Sequence, residues 1–178
     1  MSTEHGFTLE LDVKALAEDG TFTGYASTFN NVDLGRDIVM PGAFQKSLAV
    51  RPASRVKLLR NHDASEPVGV VLSLEEDAKG LKIKGQVTGE TARGRETLSL
   101  MRTGALDAMS IGYRTIKDTF DRVKGARLLQ QLDLYECSIC TFPMNPRATV
   151  SAVKSDEALE RARALVRAIQ RVTEALKQ

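Results

Sequence analysis

Alternating apolar and polar residues predict strands at the start of the chain. Apolar side chains at every second position between residues 7 and 13 predict a half-buried strand. After a turn at residues 18–20, aromatic and β-branched residues predict a second strand over residues 21–29. Turn-forming residues fill 30–37, and a short helix is expected over 43–48. This region therefore predicts two strands, a loop and a helical turn.

The middle of the chain repeats this pattern with sharper turns. Val56 and Leu58 lead into the polar segment Asn61-His62-Asp63. Two strands over residues 68–74 and 81–87 flank a turn, and in the second of them apolar and polar side chains face opposite ways. Residues 91–103 have helical spacing and end at Gly104, a favoured residue just past a helix end.

Two later strands carry the residues of most chemical interest. Between residues 109 and 113, bulky side chains alternate with small ones, so that Ser110 lies on the uncrowded face. Between residues 132 and 142, the same alternation places Glu136 on one face with Leu134 and Ser138. A carboxylate among apolar neighbours needs a partner or an exposed position at a sheet edge, and the pattern alone leaves both alternatives open.

The chain is expected to end in an amphipathic helix. Ser155 can cap the helix, and apolar residues from Leu159 to Leu176 form one stripe. Arginines on the other face are offset by glutamates, which favours a solvated face over a nucleic-acid arm. We therefore predict one folded domain over residues 1–153 and a separate charged helix over residues 154–178.

Composition narrows the function classes. The 178 residues are 42% hydrophobic and 27% charged, which is typical of a folded domain. Lys and Arg number 25 against 23 acidic residues, and Trp is absent, so a nucleic-acid surface is not indicated. No apolar run is long enough to cross a bilayer, and the first residues lack the features of a signal peptide.

The chain has two histidines, so imidazole chemistry must use His5 or His62. His62 arrives at the end of a predicted strand, where functional groups are often presented, although a lone histidine is more often structural. Consecutive side chains of an extended chain point apart. A carboxylate that orients His62 should therefore come from another strand rather than from Asp63.

Ser110 and Glu136 are the other candidates for such chemistry. A serine nucleophile needs a base within hydrogen-bond reach and a third group that holds the imidazole in one tautomer. The small residues beside Ser110 leave its hydroxyl accessible, although an ordinary strand serine is the commoner explanation. Glu136 would be able to orient His62 if the fold brings their strands together.

Cys137 and Cys140 form a C-x-x-C pair that has to be weighed against metal or redox chemistry. A zinc site would need two further ligands, and a thioredoxin-like pair normally starts a helix. Here the pair lies in a predicted strand with its sulfurs on opposite faces, which favours small buried side chains. The G-x-S-x-G elbow and the Gly-rich phosphate loops are absent. We expect no metal and no cofactor.

Five blocks of sequence, in this order, resemble the prohead protease family of tailed bacteriophages, which is similar to the herpesvirus assemblins. The blocks are GYASTFNNVD, DIVMPGAF, LRNHD, GALDAMSIGY and ECSICTFPMNPR, and they fall within about residues 7 to 150. The resemblance implies an α+β fold, mainly an antiparallel β-barrel surrounded by helices as in the assemblins. It also implies a serine endopeptidase.

The resemblance assigns roles to individual residues. His62 matches the catalytic histidine of the family, Ser110 matches its nucleophile, and Glu136 falls where the third member is expected. The assemblins use a second histidine at that place, but His5 lies near the chain end, which favours a carboxylate. Arg147 is expected to help stabilise the oxyanion, by analogy with an arginine-containing loop of the assemblins.

The resemblance further implies the partners. The expected substrates are the scaffolding region of the major capsid protein and the protease itself, inside the assembling procapsid in the host cytoplasm. A homodimer or higher oligomer is compatible with the sequence, and neither nucleic acid nor membrane is expected as a partner. Two alternatives stay open: a catalytically idle assembly module with the same fold, and an unrelated thiol or metal protein that uses Cys137 and Cys140.

Overall fold

The computed structural model describes residues 19–151, which form one mainly antiparallel sheet with few helices. The strands are β1 (Thr21–Thr28), β2 (Asp37–Val39), β3 (Lys57–Arg60), β4 (Asp63–Glu76), β5 (Gly80–Val87), β6 (Ala108–Asp121), β7 (Ala126–Cys140) and β8 (Val150–Ser151). The helices are α1 (Gln45–Val50) and α2 (Ala92–Arg102), with a 3-10 turn at Ala53–Arg55. The strand expected over residues 7–13, the helix expected over 155–178 and the boundary at residue 153 lie outside the described residues.

The sheet is a curled half-barrel. Its strand order is β2-β7-β3-β4-β5-β1-β8, and β6 pairs with the other edge of β7. The segment before β8 bridges the two ends of the curl, since Ala108 pairs with Thr149 and the amide of Met109 donates to the carbonyl of Ala148 at 2.9 Å. These bonds bring the start of β6 next to β1, so the sheet wraps around one apolar core.

β7 organises the sheet because three strands pair with it. It pairs antiparallel with β6 and parallel with both β2 and β3. The sequence pattern predicted neither the parallel pairings nor β2, whose residues lie at the end of an expected loop. β6 and β7 are also longer than the alternation indicated, because their outer halves form a hairpin in which β6 is mostly exposed and the register shifts twice. The parallel pairing of β3 with β7 sets the position of the site described below.

The core fills the curl with side chains from nearly every strand. Its largest fully buried members include Phe22, Phe44, Ile83, Met109 and Leu134. The helices predicted over residues 43–48 and 91–103 correspond to α1 and α2, which begin one or two residues later. Thr91 caps α2 by accepting a hydrogen bond from the amide of Gly94 at 2.9 Å. Within residues 19–151, no helix is long and apolar enough to span a membrane.

An irregularity divides the ladder between β6 and β7. Gly112 pairs with Glu136, whereas the next residue, Tyr113, pairs with Leu134, so Tyr135 has no direct partner in this register. Leu134 is packed in the apolar core, while the side chain of Glu136 is bonded to polar groups. The face that a residue of β7 occupies therefore cannot be read by strict alternation across the irregularity. The polar face of β7 that carries Glu136 begins just after it.

We predict that Gly85→Ala destabilises the fold, because Phe22 packs directly against Gly85. A Cβ at this position would lie 2.6 and 2.7 Å from two ring carbons of Phe22, which is fully buried. Overpacking of this kind costs about 1–3 kcal/mol of unfolding free energy. Urea denaturation measures it. Gly89→Ala is the control, since its Cβ would meet no atom closer than 4.0 Å; equal stability of the two variants would contradict the prediction.

Candidate active site

His62 lies in a two-residue turn that joins β3 to β4. Arg60 pairs with Asp63, and the two residues between them have positive φ, 51° at Asn61 and 62° at His62. Positive φ at both central positions is the signature of a type I′ hairpin turn, in which the second position favours Gly. A histidine held in this conformation is under backbone strain, which occurs most often at functional sites.

Two neighbouring backbone amides of this turn donate hydrogen bonds to β7. The amide of Asn61 donates to the carbonyl of Ile139 at 3.0 Å, and the amide of His62 donates to Oγ of Ser138 at 3.0 Å. Both bonds follow from the parallel pairing of β3 with β7, which carries the end of β3 to this part of β7. The turn is therefore fixed to the strand that also carries Glu136.

His62 and Glu136 are in direct contact. Nδ1 of His62 lies 2.5 Å from Oε1 of Glu136, and the histidine side chain is 44% exposed against 12% for the glutamate. The hydrogen bond and the charge of Glu136 raise the pKa of His62 above its ordinary value, although partial burial of the ring acts in the opposite direction. Nδ1 is thereby engaged, and Nε2 is the ring nitrogen left for another partner.

The raised pKa of His62 has a consequence for stability. A histidine whose folded-state pKa exceeds its unfolded value of about 6.5 adds stability that is fully present below that pH. This stability is lost as the pH rises through the folded-state pKa. The pair of His62 and Glu136 therefore supports the fold more in mildly acidic than in alkaline solution.

Ser138 closes a ring of hydrogen bonds around the pair. Its hydroxyl accepts from the amide of His62 and donates to Oε2 of Glu136 at 2.8 Å. Ser138 is fully buried and Glu136 is 9% exposed. Each oxygen of the Glu136 carboxylate thus has a donor, which is what a carboxylate needs when it is withdrawn from water. The alternation of residues in the sequence placed Ser138 on the face of Glu136 but did not indicate that it bonds to the site.

Gly112 provides the space in which the Glu136 carboxylate lies. The two residues are direct partners across β6 and β7, so their side chains share a face. A Cβ on Gly112 would overlap Oε1 of Glu136 and would come within 2.8 Å of its Cγ and Cδ. The small-residue face of β6 is therefore required to admit Glu136 as well as to leave Ser110 uncrowded.

Ser110 lies beside this network on the neighbouring strand. It is the direct cross-strand partner of Ser138 and is 4% exposed. Cross-strand partners have their Cβ atoms roughly 5 Å apart, which places Ser110 next to the residue that binds the backbone of His62. Its hydroxyl makes no hydrogen bond with another residue of the described range. The structure thus brings Ser110, His62 and Glu136 into one region and bonds the last two directly.

A cavity of about 80 Å³ lies next to Ser110. Its polar lining includes Asp33, Asp37 and Tyr113. Asp37 is held by Arg127 in a two-bond ion pair at 2.6 and 2.8 Å, and burial raises the pKa of Asp33. Burial and the charge of Asp37 raise the pKa of Tyr113 to about 12, so its hydroxyl stays protonated. Sequence reasoning missed this cavity because residues distant in the chain form it.

Two other residues of interest lie away from these contacts. Arg147 is exposed in the loop after β7, where its amide donates to Oδ1 of Asn145 at 3.1 Å. Its guanidinium makes no hydrogen bond or ion pair with residues 19–151. Asp63 accepts two hydrogen bonds from Ser65.

Both cysteines are free thiols buried in β7. Burial raises the pKa of the Cys137 thiol strongly and that of Cys140 to about 11. A high thiol pKa lowers the thiolate fraction, so neither side chain is a ready nucleophile. Within the described residues, no group of three or more His, Cys, Asp or Glu side chains could hold a metal ion.

The curled sheet thus places a strand serine, Ser110, near the hydrogen-bonded pair of His62 and Glu136. The model of the caudovirus prohead serine protease family matches residues 9–162, and the chain belongs to this family. It is 39% identical over 145 residues to the prohead protease of Enterobacteria phage HK97, an alignment that covers 80% of this chain. The chain spans 64% of the length of that protease.

Solved structures show the same fold in viral proteases. The capsid assembly protease of bacteriophage T4 superposes with a TM-score of 0.55 at 12% identity, covering 69% of this chain and 82% of the T4 protein. The Kaposi's sarcoma-associated herpesvirus protease, bound to a hexapeptide phosphonate inhibitor, superposes with a TM-score of 0.52 at 11% identity. This alignment covers 76% of this chain and 65% of the herpesvirus protein. The expected likeness to the herpesvirus fold is thereby confirmed for the sheet.

We predict that Gly112→Ala lowers the pKa of His62 toward its ordinary value. The new methyl group would displace the Glu136 carboxylate, which raises the pKa of His62 in the wild-type protein. An NMR titration of the histidine ring protons measures this value. Gly89→Ala, whose Cβ has open space, is the control and should titrate as wild type. A wild-type pKa in Gly112→Ala would show that the carboxylate keeps its place.

Proposed function

We propose that this chain is a serine endopeptidase that matures procapsids. Ser110 is the nucleophile, His62 the general base and Glu136 the group that orients the imidazole. One observation carries the proposal: in a member of the prohead protease family, Nδ1 of His62 lies 2.5 Å from a buried carboxylate beside the strand that holds Ser110. This contact leaves Nε2 as the nitrogen that can take a proton from a serine.

The proposed reaction begins when the hydroxyl of Ser110 attacks the scissile carbonyl carbon. Nε2 of His62 accepts the hydroxyl proton while the new carbon–oxygen bond forms. The tetrahedral intermediate collapses as the carbon–nitrogen bond breaks, and the imidazolium returns the proton to the leaving amine. Water then attacks the acyl-enzyme by the same route and restores the free serine. The Ser110 hydroxyl makes no hydrogen bond within the described residues, and its bond to Nε2 is expected to form on substrate binding.

Glu136 acts on the imidazole rather than on the substrate. Its Oε1 holds the proton on Nδ1 of His62, so the neutral ring presents the lone pair of Nε2. When the ring becomes an imidazolium, the negative charge of Glu136 stabilises it at short range.

Charge that develops on the substrate oxygen needs donors of its own. Backbone amides near Ser110 are the first candidates, and each donor is worth about 3–4 kcal/mol of transition-state stabilisation. Arg147, whose guanidinium is exposed on the loop after β7, is proposed to assist through water. The cavity beside Ser110 offers space for a substrate side chain next to the scissile bond.

The proposed substrates are the scaffolding region of the major capsid protein and the protease itself. The names of the relatives support a capsid context, since they are a prohead protease and a capsid assembly protease. The reaction is proposed to take place inside the assembling procapsid in the host cytoplasm. Residues 154–178 are proposed to form a separate helix that pairs subunits, attaches to the scaffold or packs on the domain 1–153.

We predict that Ser110→Ala abolishes cleavage of the capsid subunit. The variant lacks the attacking oxygen, and loss of the nucleophile removes several orders of magnitude of rate in serine proteases. Co-expression with the capsid subunit of the same phage, followed by mass spectrometry, measures processing. Ser99→Ala, on the exposed face of α2, is the matched control and should process normally. Equal processing by Ser110→Ala and by the wild-type protein would show that Ser110 is not the nucleophile.

We predict that Glu136→Gln lowers the rate and shifts its pH dependence. His62 acts as a base only when neutral, so activity falls as the pH drops through its pKa. Glu136 raises that pKa, and its replacement by an amide should therefore move the acidic limb of the profile to lower pH. The maximal rate should fall on the order of 10³–10⁴-fold, because the ring is no longer held in one tautomer. Hydrolysis of a peptide that spans the processing junction, followed between pH 5 and 9, tests both effects.

A further inference from the structure

Ser138 stands out among the polar groups that the proposed reaction does not use. It is fully buried, and its single hydroxyl serves two partners that belong to different parts of the site. The oxygen accepts from the amide of His62 at 3.0 Å, and the proton is donated to Oε2 of Glu136 at 2.8 Å. A buried hydroxyl that links the backbone of one residue to the side chain of its partner restricts both at once.

The two bonds act on groups that would otherwise move. His62 sits in a turn conformation that is unfavourable for a non-glycine residue, so its backbone needs bonds that hold it. Glu136 has rotatable side-chain bonds and would lose a donor on Oε2 without Ser138. The amide of Asn61, bonded to the carbonyl of Ile139, fixes the turn next to this point but does not reach the carboxylate.

We propose that Ser138 is a positioning residue that locks His62 and Glu136 into the geometry required for general-base catalysis. This proposal rests on the proposed function for its effect on rate, but the geometry it describes is measurable without catalysis. Its hydrogen bonds join the amide of His62 and Oε2 of Glu136, and none joins it to the hydroxyl of Ser110 or the ring of His62. It acts by aiming Oε1 of Glu136 at Nδ1 of His62, which selects the imidazole tautomer with its proton on Nδ1.

The position of Ser138 relative to Ser110 adds to the argument. The two serines are direct partners across β6 and β7, so the residue that holds His62 faces the proposed nucleophile on the same side of the sheet. A shift of the His62 turn would change the distance from Nε2 to Ser110 directly. Misplacement of about 1 Å in such a pair can cost roughly 10²-fold in rate.

The experiment compares Ser138→Ala with a matched buried serine. Ser47 is 4% exposed, and its Oγ accepts from the amide of Leu134, also on β7, at 2.9 Å. Ser47→Ala therefore removes a buried bond to the same strand without touching His62 or Glu136. Two readouts are used: ¹⁵N-histidine NMR of the ring nitrogens, and the rate at which a fluorophosphonate probe labels Ser110. His5→Gln as background leaves a single histidine, which makes the NMR assignment direct.

In the reference protein, which carries His5→Gln and keeps Ser138, neutral His62 should have its proton on Nδ1. Ser138→Ala should shift neutral His62 toward the Nε2–H tautomer and slow probe labelling by about 10–100-fold. Ser47→Ala should change neither. Ser138→Cys retains a side chain of similar shape with a weaker hydrogen-bond donor. Its tautomer ratio and labelling rate should lie between those of Ser138→Ala and the reference protein. This variant replaces Ser138→Ala in the experiment if Ser138→Ala does not fold.

An unchanged tautomer and labelling rate in Ser138→Ala, or in Ser138→Cys if only that variant folds, would overturn the proposal. An equal loss in Ser47→Ala would overturn it too, since the effect would then reflect general weakening of β7. The tautomer is read from the resting protein. If Ser110→Ala continued to process the capsid subunit, the proposed function would fail while the NMR result for Ser138 stood by itself.

Discussion

A carboxylate withdrawn from water determines how the rest of the site is built. An isolated buried carboxylate costs several kcal/mol, and it is tolerated only when charge or hydrogen bonds compensate it. Glu136 obtains hydrogen bonds from its neighbours, since His62 engages one oxygen and Ser138 the other. Space for it exists because Gly112 lacks a side chain on the facing strand. Three residues on three separate segments are thus constrained by one group, which couples the hairpin turn, β6 and β7.

The backbone at His62 illustrates a local preference overridden by this arrangement. A two-residue hairpin turn of this kind favours Asn followed by Gly, and the chain has Asn61 followed by a histidine. Hydrogen bonds from two backbone amides to β7 hold the strained turn, so it is not free to relax toward a commoner shape. Sequences that break a local rule usually do so where function requires it. Here the requirement is an imidazole carried at the tip of a hairpin, above the strand that bears the carboxylate.

Sequence patterning predicted β1, β5 and both helices closely, because each buries one face and shows the corresponding period. It also placed Ser110 on the small-residue face and Glu136 with Ser138. The pairing of β3 with β7 was not predictable, since a parallel contact between residues some 80 positions apart leaves no local trace. The outer halves of β6 and β7 were missed because exposure of β6 and the register shifts between the two strands remove the alternation. The roles of Gly112 and Ser138 follow only from three-dimensional register.

In the proposed mechanism, the chemical identity of the group that orients His62 changes how strong a base His62 is. A second histidine at this place would be neutral above its ordinary pKa of about 6.5. The carboxylate of Glu136 adds a negative charge beside His62 and raises its pKa, so it would stabilise the imidazolium that the proposed attack forms. The same charge makes the resting ring easier to protonate in mild acid. In the proposed mechanism a stronger base is therefore obtained with a narrower range of pH in which the base is free.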